Sequence, residues 1–156
     1  MADSFKVNIV ADNTEAAKLE MQMRVERALT AVGIQVATNA REEIQKNPSR
    51  IDTGLLRNSI THAVNGGGTA IGGYSADRPS KYTGKMPDPG TYGGTMPQGK
   101  KGVNTVYIGT NVEYAEYVHE GFHLPSGKKV APNRFLKNAI ENNKDEIISI
   151  IKQELT

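Results

Sequence analysis

The stretch VERALTAVGIQVATNAREEIQK, residues 25–46, decides the fold of this chain. Its apolar side chains recur at steps of three or four, which is the period of one face of an α-helix. They are Val25, Leu29, Val32, Val36, Ala40 and Ile44. The pattern predicts a long amphipathic helix, with a weak point or bend at Gly33. Since some 30 residues give roughly 45–50 Å of helix, one end should project beyond a small domain's core.

The helix has sequence signals at both ends. Its cap is expected among three polar residues, Asp12, Asn13 and Thr14. It should run to Lys46, because Asn47 and Pro48 follow. Before the cap, Phe5–Val10 alternates apolar and polar residues, which predicts a strand.

Two further strands and short helices follow. Residues Ile51–Ile60 indicate a cap at Asp52 or Thr53, a short helical turn, and then a strand over Ser59–Val64. Asn104–Thr110 predicts another strand.

The C-terminal third should be mainly helical. A short helix is expected from Glu113 to near Gly121, and an amphipathic helix from Pro132 through Leu155. The sequence therefore predicts one α+β domain over residues 1–156, in which a long N-terminal helix and a C-terminal helix pack on a small antiparallel sheet.

Gly and Pro concentrate between residues 66 and 102, where 11 of the 16 Gly and four of the seven Pro lie. Branched aliphatic residues are almost absent there, so we expect the segment to contribute nothing to the core. It carries five basic and two acidic residues, which is an excess of three positive charges. We interpret it as a long flexible insertion between two halves of the domain, with Gly66–Gly68 turning the chain.

Composition excludes several classes of protein. The absence of Cys rules out disulfides, thiolate zinc sites, iron–sulfur clusters and a Cys nucleophile. No apolar run is as long as a membrane span, and the N-terminal stretch lacks a signal-peptide pattern, so we expect a soluble protein made in the cytoplasm. A net charge of +2 does not by itself indicate a nucleic-acid or membrane partner.

Three short motifs resemble catalytic ones. His119–His123 spells H-E-x-x-H, but Gly121 interrupts the helix that zinc peptidases need, so a metallopeptidase is only a remote alternative. Asp52-Thr53-Gly54 matches aspartic proteases, yet a helical turn follows, which favours a structural cap. Residues 94–100, GTMPQGK, fall short of a phosphate-binding loop, because Lys101 replaces the required Ser or Thr. We therefore predict no catalytic residue, no metal and no cofactor.

The insertion suggests a second, non-enzymatic alternative. Its tyrosines alternate with basic residues, a composition that could stack on bases and contact phosphates of single-stranded nucleic acid. The residues concerned are Tyr74, Arg78, Lys81, Tyr82, Lys85, Tyr92, Lys100 and Lys101. A loop that becomes ordered against protein is the competing interpretation and uses the same residue types.

Three stretches together carry a family resemblance: IDTGLLRNSI (Ile51–Ile60), VYIGTNVEYAEYVHEG (Val106–Gly121) and APNRFLKNAI (Ala131–Ile140). Their order and spacing resemble the HK97 gene-product-ten-like family of putative tail components, the tail-completion or neck proteins of long-tailed phages and prophages. The resemblance spans the chain except residues 66–102. The longer insertion and the extended link over residues 122–130 depart from the family pattern.

The resemblance implies a non-enzymatic virion protein at the head–tail junction, assembled in the bacterial host cytoplasm. Its partners would be head-connector or head-closure proteins and tail-terminator or tail-tube proteins, with copies of the chain forming a homo-oligomeric ring. A membrane partner is not implied, and DNA contact is compatible with this role but not required. The turn Asp52-Thr53-Gly54 would be structural.

Contact residues for assembly are expected in two places. The insertion offers aromatic, thioether and basic side chains suited to partner surfaces. These candidates are Tyr74, Arg78, Tyr82, Lys85, Met86, Tyr92 and Met96. The projecting end of the long helix offers Met21 and Met23.

Overall fold

The computed structural model describes residues 13–64, 70–71, 73–88, 94–95 and 104–156. Its first element is helix α1, Thr14–Gln45, which is 32 residues long. The helix ends one residue before the predicted Lys46. Asn13 precedes it without a side-chain capping bond. The strand predicted at Phe5–Val10 and the turn predicted at Gly66–Gly68 lie outside the described residues.

The apolar stripe of α1 is buried along its second half. Val36 and Ala40 are almost completely inaccessible, and Val32 and Ile44 are also buried. Val25 and Leu29, nearer the N-terminus, are half-buried. The helix therefore enters the core progressively from its N-terminal end.

Helix α2 (Leu55–Ser59) and strand β1 (Thr61–Val64) follow a short 3₁₀ turn at Pro48–Arg50. Strand β1 pairs antiparallel with β4 (Val106–Gly109), with His62 opposite Ile108. Helix α1 contacts both strands. These observations confirm the predicted small antiparallel sheet and the α+β class.

Two shorter antiparallel pairs complete the strands in the described part of the chain. Strand β2 (Ala70–Ile71) pairs with β3 (Gly94–Thr95) inside the insertion. Strand β5 (Phe122–His123) pairs with β6 (Lys129–Val130) directly after helix α3 (Ala115–Glu120). Gly121, at the end of α3, has a φ of 81°, a conformation that glycine adopts without strain. Helix α3 thus stops where the sequence predicted.

The C-terminal region forms two helices, so the prediction of one helix starting near Pro132 is wrong. They are α4 (Phe135–Glu141) and α5 (Lys144–Leu155). Between them, the Asn143 side chain donates a hydrogen bond to the carbonyl of Ala139 at 2.9 Å. Such side-chain bonds to the backbone compete with helix continuation.

Helices α4 and α5 both pack along α1. Phe135 and Ala139 of α4 are fully buried within the core cluster. Helix α5 runs antiparallel to α1: Asn39 donates to Glu146 at 3.3 Å, and Arg24 donates to the Thr156 carbonyl at 3.5 Å. Residues 14–23 of α1, here called the projecting end, are all exposed. None of the helices in the described ranges combines the length and apolar character needed to cross a bilayer.

One part of the insertion belongs to the core, contrary to prediction. Tyr74 is 8% exposed and Ala76 is also buried, and both join the main apolar cluster. The Tyr74 hydroxyl donates a hydrogen bond to the Asn111 side chain at 2.6 Å, so its polar end is satisfied in the interior. The prediction relied on the shortage of aliphatic residues in the insertion and did not consider that an aromatic residue, Tyr74, could join the core.

Candidate functional site

The turn at residues 49–54 holds the start of the insertion against the domain. Two backbone carbonyls of the turn accept bonds from Arg78: its Nε donates to Asp52 O and its Nη2 to Ile51 O, each at 2.7 Å. Lys81 Nζ donates to the Ser49 carbonyl at 2.8 Å. Residues 78–81 are therefore fastened to the domain at several points.

The Asp52 side chain completes this attachment. One carboxylate oxygen accepts a bond from the Ser80 hydroxyl and the other from the Lys81 backbone N–H, both at 2.7 Å. The Ser80 bond is the main reason that the pKa of Asp52 lies below its ordinary value; the Lys81 N–H and the charges of Lys81 and Arg78 lower it further, against desolvation. The carboxylate is thus ionised at neutral pH and fully engaged.

The prediction that Asp52 caps α2 is wrong, although the turn is structural. Gly54, with a φ of 83°, is the residue that precedes α2. The Thr53 hydroxyl accepts a bond from the Leu55 N–H at 3.3 Å. The positive φ favours glycine at this position, and a Cβ on Gly54 would also lie 2.2 Å from an Asp77 carboxylate oxygen, so that the Asp77 side chain would have to move.

A groove of about 590 Å³ opens beside this turn. Its buried and half-buried lining is aliphatic and aromatic, and comes from α1, α2, α3 and the β5–β6 hairpin. These residues are Ile44, Leu55, Leu56, Val118, Phe122 and Val130. Its more exposed lining includes Tyr82 of the insertion, Tyr114 before α3, and Leu124 of the hairpin loop. Exposed aromatic and aliphatic side chains around an apolar depression are typical of a protein-binding surface.

Three charged residues line the groove. Asp52 is engaged as described, and Arg57 forms an ion pair with Asp77. The Arg50 guanidinium has no ion-pair partner among the residues that the structure describes. The groove therefore offers one uncompensated positive charge.

The two histidines of the H-E-x-x-H stretch do not share a helix face. His119 lies in α3, whereas His123 lies in β5 beyond Gly121. His119 Nδ1 is 2.6 Å from Glu120 Oε1, and this bond is the chief reason that the pKa of Glu120 is lowered. The His119 ring packs edge-on against Phe135 with centroids 5.2 Å apart. Within the described ranges, no group of three or more His, Asp or Glu side chains could hold a metal ion.

The structure separates the predicted contact residues into different environments. Tyr74 is buried and Arg78 is bound to the turn, so neither side chain is presented as the sequence predicted. Tyr82 is 80% exposed, and Lys85 and Met86 are exposed beside it. Tyr92 and Met96 lie outside the described residues, as do Lys100 and Lys101.

Met21 and Met23 are exposed on the projecting end, as predicted, at 54% and 52%. They lie far from the groove, because Met23 precedes the groove residue Ile44 by 21 helical positions, or about 32 Å along α1. The projecting end and the groove are therefore two distant places at which the described residues expose apolar side chains. Sequence reasoning found Met21 and Met23, but missed the groove residues Arg50 and Leu124, whose positions depend on distant elements.

The basic and aromatic residues proposed for single-stranded nucleic acid are not gathered into one exposed track in the described part of the insertion. Tyr74 is buried, and the Arg78 and Lys81 side chains donate to backbone carbonyls. Lys81 also lies over the Tyr82 ring at 5.5 Å.

Comparisons with protein-family profiles, with curated proteins and with solved structures find no match to this chain.

Proposed function

We propose that the protein is a non-enzymatic structural component of a tailed-phage or prophage virion, acting as a tail-completion or neck protein at the head–tail junction. It would be assembled in the bacterial host cytoplasm. Its partners would be head-connector or head-closure proteins on one side and tail-terminator or tail-tube proteins on the other. Copies of the chain would form a ring.

The observation that carries the proposal is the convergence of the three stretches that resemble the gene-product-ten-like family. Ser59 Oγ of the first stretch is 2.5 Å from Thr110 Oγ1 of the second. The N–H of Asn133, in the third, donates to the carbonyl of Val118, in the second, at 2.9 Å. The stretches form one packed unit, which is what a shared family fold requires.

The exposed surfaces are also consistent with an assembly part. The α+β body carries an apolar groove near one end of α1 and an exposed stretch of helix with two methionines near the other. In a ring, each contact joins one patch to a different patch on the next copy. Two unlike apolar surfaces on one chain suit such contacts.

Deletion of the coding sequence from the phage genome that carries it tests the proposal. We expect lysates with DNA-filled heads and separate tails by electron microscopy, and joined particles when the wild-type protein is supplied in trans. The Val36→Glu protein, which we expect not to fold because Val36 is 1% exposed, serves as the negative control for complementation. Normal yields of joined, infectious particles from the deletion would overturn the proposal.

A further inference from the structure

We propose that residues 5–10 of one copy, FKVNIV, occupy the groove of a second copy, so that copies associate head to tail. The inference deepens the ring formation proposed above and rests on that function for its biological setting. Its test uses purified protein only, so it can fail or succeed independently of the role in virions.

A segment that fills the groove must carry apolar side chains, and the groove must be large enough for its backbone. Its inner lining is aliphatic and aromatic, with Leu55 and Leu56 buried at 3% and 7% exposure. Its volume, about 590 Å³, is that of a small-ligand or short-peptide site. Tyr82 and Leu124 lie exposed beside it, where they could close over a bound segment.

The sequence of residues 5–10 supplies those side chains. Phe5, Val7 and Ile9 alternate with Lys6 and Asn8, so an extended backbone would direct the three apolar groups to one side. Extended peptides commonly bind in this way, with alternate side chains entering pockets.

Charge favours the same occupant. Arg50 is the groove's uncompensated cation in the described part of the chain. Residues 2–12 contain Asp3 and Asp12 against Lys6, an excess of one negative charge. A carboxylate at either end of the apolar run could pair with the Arg50 guanidinium.

Chain length prevents a copy from filling its own groove. The groove includes Ile44, which lies 31 helical positions, or about 46 Å, from Asn13. Phe5 can lie at most about 29 Å from Asn13 and Val10 about 11 Å, even if the intervening chain is fully extended. The occupant must therefore come from another copy.

The ring proposed above requires each copy to donate its segment to one neighbour and to receive a segment from another, which makes the contact heterologous. Two copies that exchange segments reciprocally would instead stop at a two-fold symmetric dimer. We therefore expect wild-type species larger than a dimer, and a wild-type protein that stops at dimers would overturn the head-to-tail arrangement.

Sedimentation of the full-length protein and four variants tests the proposal. Wild type should associate increasingly with concentration in the micromolar range. Ile9→Asp should abolish association because it damages the segment. Leu124→Asp should abolish association because it damages the groove. Asn8→Asp, on the other side of the segment, and Tyr117→Asp, on α3 but outside the groove, are the matched controls and should associate like wild type. If Leu124→Asp fails to fold by circular dichroism, Tyr82→Asp replaces it.

Mixing the two association-defective proteins gives the sharpest result. Ile9→Asp retains an intact groove and Leu124→Asp an intact segment, so the mixture should form one-to-one dimers and nothing larger. A labelled peptide of residues 2–12 should bind Ile9→Asp protein at least tenfold more tightly than the double variant Ile9→Asp/Leu124→Asp. Monomeric wild type at every concentration, association unaffected by Ile9→Asp, a mixture without dimers, or a peptide that does not bind would each overturn the proposal. The last outcome would leave the groove to a segment of a different protein.

Discussion

The imidazole ring of His62 lies directly against Gly33 in the middle of α1. A Cβ placed on Gly33 would come within 2.6 Å of His62 Cδ2 and 2.9 Å of His62 Cβ. Strand β1 therefore approaches the helix at a point where only glycine leaves room. The sequence suggested that Gly33 weakens or bends α1, whereas the structure gives it a packing role.

Gly33→Ala should destabilise the protein although alanine favours helix by about 1 kcal/mol over glycine. The added methyl group forces the His62 ring and β1 to move, and such overpacking typically costs about 1–3 kcal/mol. Urea unfolding of Gly33→Ala, His62→Ala and the double variant measures the coupling. The double variant should be more stable than Gly33→Ala alone. A more stable Gly33→Ala protein would show that the ring moves aside freely.

His62 should make stability depend on pH. Burial, and secondarily the positive charge of Arg41, lower its pKa below the ordinary value of 6.5. As pH falls through 6.5, the unfolded chain takes up the proton first, so the free energy of unfolding should decrease until pH passes the folded-state pKa. Thermal unfolding between pH 7.5 and 5 should show this decrease in wild type, and His62→Gln should reduce it. NMR titration that finds a His62 pKa above 6.5 would contradict the prediction.

Asp52 should control the attachment of the insertion rather than the start of α2. The pKa of Asp52 lies below the ordinary value of 3.8. The ionised carboxylate therefore stabilises the folded protein at neutral pH, and this stabilisation is lost as pH falls below 3.8. Asp52→Ala should accelerate amide exchange at Lys81 and in residues 80–85, while exchange within α2 changes little. Asp52→Asn keeps one acceptor and should have a smaller effect. Faster exchange confined to Leu55–Ser59 would restore the capping hypothesis.

Val36 and Met21 should respond very differently to a negative charge. Val36 is 1% exposed in the core, so Val36→Glu should cost about 4 kcal/mol or more and prevent folding. Met21 is 54% exposed on the projecting end, so Met21→Glu should change stability by no more than about 0.5 kcal/mol. Circular dichroism and thermal unfolding distinguish them. Equal damage from both would mean that the projecting end is part of the folding core.

Tyr74 and Tyr82 provide a matched pair within the insertion. Tyr74→Ala removes a buried ring and leaves Asn111 without that donor, and should cost about 3 kcal/mol or more. Tyr82 is 80% exposed, so Tyr82→Ala should preserve folding and weaken assembly. Unfolding curves and head–tail joining assays on the same two proteins test both statements. A Tyr82→Ala protein that joins heads to tails at the wild-type rate would contradict the second.

Local patterns predicted helix α1 closely. The C-terminal end of α1 was predicted to within one residue. Both signals for it, the apolar periodicity and the Asn47-Pro48 stop, are local and lie next to that end in the sequence. The break between α4 and α5 escaped prediction, because apolar residues continue on both sides of it. At the break, the backbone of Asn143 leaves the helical conformation, with a φ of −125°, and its side chain bonds to the carbonyl of Ala139.

Features set by distant partners could not be predicted from local sequence. Asp52 accepts hydrogen bonds from Ser80 and Lys81, which lie nearly thirty positions further along the chain. Tyr74 donates a hydrogen bond to Asn111, which lies 37 positions further along. The groove has the same character, because its walls come from α1, α2, α3, the β5–β6 hairpin and the insertion. Composition identified the insertion as unusual, but could not indicate which of its residues return to the core.

The order in which the chain is synthesised has a consequence for α1. Helices α4 and α5 both pack on its buried stripe, and about ninety residues separate Gln45 from Phe135. At 5–20 residues per second, the ribosome needs roughly 5–20 s to make that interval. During this time the apolar stripe of α1 lacks two of the helices that pack on it in the folded protein, so completion of the core depends on contacts that are remote in sequence.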